Sequence, residues 1–260
     1  MKKILVFSLA LALFACARQP SMTEEKLVDI TFKIADGNSG RLLDIQDTKA
    51  CPEPGFVADA LSASLPAGAP EITLSSKTNS AREYTVTAGQ TATVAVDRYY
   101  AIGEAGGDTF QDIYIGKAFG VACYEIAADE VEITEEISEV TLDAEYTVFA
   151  VVYSKSEVKK IQILDSGGHG YDDAQYVGGN DTIGIVFFSG SWSGSQPLKI
   201  KVIPLDTVNY TEKLYTLSMS GANNTIKVRN GYWYYFGPEE VTVTEGLLNV
   251  ILPEWQNGNE

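Results

Sequence analysis

Val28-Asp29-Ile30-Thr31-Phe32-Lys33-Ile34 alternates apolar and polar side chains without a break. A period of two puts Val28, Ile30, Phe32 and Ile34 on one face of an extended chain and Asp29, Thr31 and Lys33 on the other. That is the pattern of a strand half buried against a core. Asp36-Gly37-Asn38-Ser39-Gly40 follows as a turn. Similar runs recur at 71–75, 82–87, 91–96, 99–102, 113–123, 131–134 and 138–142. They continue at 146–152, 158–164, 182–188, 198–203, 213–219, 225–229, 232–236 and 247–252. Short strands at spacings of about ten residues predict an all-β protein of antiparallel sandwiches. The pattern holds no helices through which parallel crossovers could run. Asp59-Ala60-Leu61-Ser62-Ala63-Ser64-Leu65 is the best candidate for a helical turn, and Pro66 stops it.

One phrase echoes along the chain. Val86 to Val96, with Gly89 in the middle, resembles Val243 to Leu252 with Gly246, and Ile133 to Leu142 is a weaker copy. Each reads as strand, turn and strand, a β-hairpin or a sheet-to-sheet turn. One copy falls near the midpoint and one closes the chain. This predicts two β-sandwich domains, residues 27–144 and 145–260.

The first residues read differently. Lys2 and Lys3 precede an apolar run, Ile4 to Ala15, broken only by Ser8. A membrane span needs about 20 apolar residues, so Met1–Ala15 reads as a secretion signal and stays outside the fold. Leu13-Phe14-Ala15-Cys16 resembles the lipobox of bacterial lipoproteins, which implies acylation at Cys16 and a tether over residues 16–26. An ordinary cleaved signal would leave Cys16 incidental. The abrupt change to Ala17-Arg18-Gln19-Pro20-Ser21 favours lipidation, and two acyl chains suffice for stable anchoring. Ala17 is not the Asp that marks inner-membrane retention in some bacteria, and Glu24-Glu25 is an acidic pair of the kind that accompanies surface export. The expected location is the outer membrane, at the cell surface.

Losing Lys2 and Lys3 takes the formal charge from −16 to −18. So acidic a chain, with no basic cluster, repels phosphate backbones, and nucleic acid is not an expected partner. Beyond Cys16 only Cys51 and Cys123 remain, either a disulfide or two thiols. The single histidine, His169, lies in a Gly-rich loop without a nucleophile elbow, so no catalytic triad is expected. Asp165, Asp172, Asp173 and Asp181 could offer oxygens to calcium, but they lack EF-hand spacing and read as a solvated acidic loop. No second histidine or cysteine pair stands at zinc spacing. Acid pairs such as Asp129-Glu130, Glu135-Glu136 and Glu239-Glu240 read as soluble turn tips rather than a glycosidase pair. The expectation is a non-enzyme with no cofactor and no metal.

Tyr232-Trp233-Tyr234-Tyr235-Phe236 is the most unusual segment. In a strand, Tyr232, Tyr234 and Phe236 share one face and Trp233 and Tyr235 the other. Two readings stand: burial on both sides between sheets, or one exposed set of rings that stacks on sugars, with Trp192 beside Trp233 and Tyr235.

A lipobox, two β-rich halves, the segment Tyr84 to Val94 and the run Tyr146-Thr147-Val148-Phe149-Ala150-Val151-Val152 together resemble the fimbrillin-like lipoproteins of Bacteroidota. The resemblance implies two transthyretin/Ig-like sandwiches, export to the outer membrane and fimbrial subunits as partners. In polymerising members a protease cuts after an arginine that follows an early strand, and Arg41 is the local match. No polymerisation segment is recognisable at Pro253 to Glu260, which leaves a tip, anchor or non-polymerising role open. The expected function is adhesion or fimbria-like assembly by a lipid-anchored envelope protein. The rival is a glycan-binding lipoprotein of a polysaccharide-uptake system.

Overall fold

Alternation along the chain is repaid by alternation in burial. A computed structural model describes residues 25–36, 54–107, 109–165, 167–171, 177–221, 225–237 and 244–247. In chain order the elements begin with β1 (Leu27–Asp36), α1 (Pro54–Ser62), β2 (Glu71–Ser76), β3 (Glu83–Thr87), β4 (Thr91–Ala95) and β5 (Asp97–Ala105). They continue with β6 (Phe110–Ile113), β7 (Gly116–Phe119), β8 (Tyr124–Ile133), β9 (Glu139–Tyr146), β10 (Phe149–Ser154), β11 (Val158–Leu164) and β12 (Gly178–Gly179). The last are β13 (Ile183–Gly190), β14 (Leu198–Pro204), β15 (Lys213–Ser218), β16 (Ile226–Lys227), β17 (Tyr232–Tyr235) and β18 (Thr244–Leu247).

Sheet A runs β3-β2-β5-β8-β9-β1-β4. Its two edges, β3 and β4, are consecutive in sequence and joined only by Ala88-Gly89-Gln90. Three residues reach about 10 Å at most, so the sheet must curl until its edges come together. Gly89 makes the turn at φ 77°, a left-handed conformation that side-chain-bearing residues avoid. Its N–H donates to the Phe32 carbonyl, and the Tyr84 hydroxyl accepts from the Ala95 N–H at 3.3 Å. The interior is filled by Ile30, Phe32, Ile72, Leu74, Tyr99 and Ile126, all buried. The echo at 86–96 is therefore not a hairpin: β3 and β4 are opposite ends of the strand order.

Sheet B runs β18-β17-β10-β13-β7-β6, with β12 beside β13, and sheet C runs β11-β14-β15-β16. Odd residues of β10 (Phe149, Val151, Tyr153) pack with the inward side of sheet C (Ile161, Ile163, Ile200). Even residues (Ala150, Val152) belong with Val57 and Ala60 of α1 and the interior of sheet A. Sheet B is thus covered on both faces, and this is why β10, β13 and β17 read as unbroken apolar runs. Sheet C faces water on its other side, and β14 accordingly alternates buried and half-buried residues throughout.

The all-β expectation holds, with three differences of detail. First, β1 pairs with β9, β10 with β17 and β15 with β16 in parallel. β10 reaches β17 by way of β11 to β16, β1 reaches β9 by way of α1 and β2 to β8, and β15 and β16 are separated only by residues 219–225. Second, β6 and β7, from the first half of the chain, hydrogen-bond into sheet B through β7 and β13. The expected division at residue 144 is therefore crossed by residues 110–119, although sheet A itself ends at Tyr146. Third, Glu245-Gly246, read as a turn, lies inside β18 opposite Tyr234 and Trp233.

The helix begins with Pro54, whose missing N–H costs nothing at that position, and ends three residues ahead of the expected Leu65. Just beyond it the Ser64 hydroxyl donates to the Ala60 carbonyl (2.9 Å) and accepts from the Gly179 N–H (2.6 Å). The Ser64 carbonyl accepts from the Ala122 N–H. One buried serine thereby ties α1 to sheet B and to the link between β7 and β8. Among the described residues no helix is long and apolar enough to cross a membrane.

Candidate functional site

The chemistry of sheet A lies on its outward surface. Glu104 of β5 stands opposite Glu125 of β8, and Glu125 stands opposite Glu145 of β9. All three side chains are exposed. Like charges on directly opposed strand positions repel, and among the described residues no lysine or arginine pairs with this row. The cations of the sheet pair elsewhere: Lys33 with Glu139 (2.6 Å), Lys77 with Glu130 (2.8 Å), and Arg98 beside Glu130 and Glu132.

One charged knot lies inside the surface. The Asp97 carboxylate, 6% exposed, accepts hydrogen bonds from the Ser76 hydroxyl (2.6 Å), the Thr78 hydroxyl (2.7 Å) and the Arg98 N–H (2.8 Å). It also accepts one from the Arg82 guanidinium. Burial opposes its charge, but these donors outweigh burial and hold its pKa at about 2. The other arm of Arg82 reaches Glu25 at 2.6 Å. The ends of β2, β3 and β5 and the residues preceding β1 are thereby pinned together. No pattern in the sequence marks these partners, because they come from separate turns.

Sheet C has the opposite character. Lys160 and Gln162 on β11, Lys199 and Lys201 on β14, and Leu214 and Thr216 on β15 form its outward face. At its end lies a cleft of about 130 Å³, lined by Tyr114, Asp165, Trp192, Gln196 and Lys199 among others. Its floor is Trp192, whose ring rests on the opposed pair Gly116 and Gly190. A Cβ on Gly116 would fall 2.1 Å from the Ser189 carbonyl oxygen and 2.8 Å from the indole. Gly116→Ala is therefore expected to cost about 2–3 kcal/mol as an overpacked site, read as a drop in urea midpoint at unchanged slope. The indole Nε1 is buried without a hydrogen-bond partner among the described residues, a cost of about 1–3 kcal/mol.

Of the two readings of the aromatic run, burial on both sides is the one the structure shows, and the rings offered for stacking on sugars are enclosed. Trp192 is 2% exposed, Trp233 6% and Tyr235 2%. Trp233 and Tyr235 lie on β17, between β18 and β10 of sheet B, facing the shared core, and the Tyr235 hydroxyl donates to Glu157 at 2.9 Å. Covering both faces of the sheet removes the open ring face that stacking needs. Tyr114, half exposed at the mouth of the cleft, was not singled out in the sequence because it stands alone in a turn.

His169 is exposed, and its Nδ1 lies 3.2 Å from the Asp165 carboxylate, which also accepts the His169 backbone N–H. These contacts lower the Asp165 pKa. Asp172 and Asp173 lie outside the described residues, and among those described no cluster of acids, histidine and cysteine is arranged to hold a metal. Cys123 is half-buried, and burial raises its pKa. Cys16, Arg41 and Cys51 lie outside the described residues.

No known family profile matches the chain, and no curated protein does. Solved structures do. The chain is similar to fimbrial proteins of Bacteroidota. One is the tip fimbrial protein Mfa3 from Porphyromonas gingivalis, at 9% identity and TM-score 0.41, covering 86% of this chain and 98% of that one. Another is a fimbrial assembly protein from Parabacteroides distasonis, at 11% identity and TM-score 0.41, covering 82% and 91%. A third is the fimbrial anchor protein Mfa2 from Porphyromonas gingivalis, at 10% identity and TM-score 0.28, covering 80% and 89%.

Proposed function

We propose that this chain is a lipid-anchored, non-enzymatic envelope protein of the outer membrane, acting at the cell surface in adhesion or fimbria-like assembly. The observation that carries this reading is the distribution of chemistry: the core encloses the aromatic run, and charge is displayed on broad outward sheet surfaces. Such surfaces suit recognition of another macromolecule rather than conversion of a small substrate. Cys16 supplies the tether, which raises local concentration so that weak contacts count. Cleavage after Arg41 belongs to the same proposal, as the step that would prepare the chain for partner subunits.

Protease shaving of intact cells tests the reading. The chain should be digested without lysis, and Cys16→Ser should move it from the membrane to the soluble fraction. Protection until lysis would overturn the surface location, and retention of the Cys16→Ser form would overturn the anchor. Deletion should lower attachment of cells or the yield of fimbriae.

Glycan binding is the second reading, favoured by the cleft with its exposed Tyr114 ring, amide and charged groups. A glycan array in which binding falls at least tenfold in Tyr114→Ala would support it. No binding above background would remove it.

A further inference from the structure

The strands of sheet C carry lysines and no acid: Lys159, Lys160, Lys199, Lys201, Lys213 and Lys227. In a chain of net charge −16 this is, among the described residues, the one sheet of such composition. The acids around it sit on connecting turns and are engaged locally. Glu157 accepts from Tyr235, Asp165 from His169, Asp206 from Asn209, and Glu212 pairs with Lys201 at 3.3 Å. An apolar component accompanies the lysines, since Leu214 stands opposite Lys201 and is 59% exposed.

Sheet A presents the complement. The row Glu104–Glu125–Glu145 carries repulsion that no described cation relieves, and Ile102, 66% exposed, stands two residues from Glu104 on the same outward face. Within one chain the two surfaces cannot meet, because sheet B lies between sheet C and the core that sheet A encloses.

We propose that the lysine face of sheet C docks the acidic row of sheet A on a second copy of this chain. This deepens the assembly reading by naming a partner. The contact joins different surfaces of the two copies, so each pair leaves one lysine face and one acidic row free, and association continues head to tail. Opposed charges steer the encounter and set its register, while Ile102 and Leu214 supply apolar area within it.

Sedimentation velocity of the full chain in a non-ionic detergent provides the test. At about 50 mM salt the sedimentation coefficient should rise with concentration, and about 500 mM salt should weaken association at least tenfold by screening. Lys199→Glu/Lys201→Glu and Glu104→Lys/Glu125→Lys should each be monomeric alone. Mixed, they should associate, because the first retains the acidic row and the second retains the lysine face. Unchanged circular dichroism and urea midpoints confirm that both variants are folded. A monomeric native chain at low salt, salt-insensitive association, or a mixture that stays monomeric would each overturn the proposal. So would capture of heparin without self-association, which would assign the lysines to an acidic polymer. Shaving and attachment do not depend on this contact, so its failure leaves the proposed function standing.

Discussion

Phe149→Ala is expected to lower the unfolding free energy by about 3–5 kcal/mol. Phe149 is fully buried on the side of sheet B that faces sheet C. Its ring stacks on Phe188 with centroids 5.5 Å apart and meets Tyr234 edge-on at 6.2 Å. Truncation removes the transfer free energy of the ring and leaves a cavity that neighbours on two fixed sheets cannot close. Total stability of a domain is about 5–15 kcal/mol, so the variant should unfold at a far lower urea concentration. Val208→Ala is the control: its side chain is 92% exposed, and its effect should stay within about 0.5 kcal/mol. Equal effects at the two positions would contradict the packing of sheets B and C.

Asp97→Ala should cost about 3 kcal/mol, the low end for breaking a buried ion pair, because Arg82 keeps Glu25 as a partner. The same carboxylate gives a pH signature. Its pKa is lowered from an ordinary 3.8 to about 2, so the folded chain binds the proton less readily than the unfolded one. The stabilisation is complete above pH 4 and is lost as pH falls from about 4 towards 2, a change of about 2 kcal/mol. Asp97→Asn keeps the shape without the charge. The stability difference between native chain and Asp97→Asn should therefore shrink over that window. A difference that stays constant from pH 6 to pH 2.5 would show that the charge of Asp97 does not contribute.

Much of the fold was legible locally. The alternation in 28–34 becomes β1, with Ile30 and Phe32 buried and Lys33 exposed. The run 146–152 spans the end of β9 at Tyr146 and the first residues of β10 from Phe149, and the run 232–236 becomes β17 with Phe236 just beyond it. Which strands would pair was not legible. Parallel neighbours such as β1 and β9 are brought together across more than a hundred residues by a core that no local pattern encodes. The echoes divide for the same reason. The strands flanking 133–142, β8 and β9, pair antiparallel, while β3 and β4 about Gly89 lie at opposite ends of the sheet and Gly246 falls inside a strand. Whether flanking strands pair depends on the curl of the whole sheet.

The candidate surfaces divide in the same way. Sequence alone determined the β class, the acidic balance, the signal-like opening with Cys16, and the two options for the aromatic run, because side-chain period and composition are local quantities. Tertiary structure alone decided that Trp192, Trp233 and Tyr235 are inside, that Glu104, Glu125 and Glu145 form a row, and that the lysines share a sheet without acids. Each of these depends on which strand lies beside or above another. That choice is set by burial summed over the whole chain, so no single segment carries it.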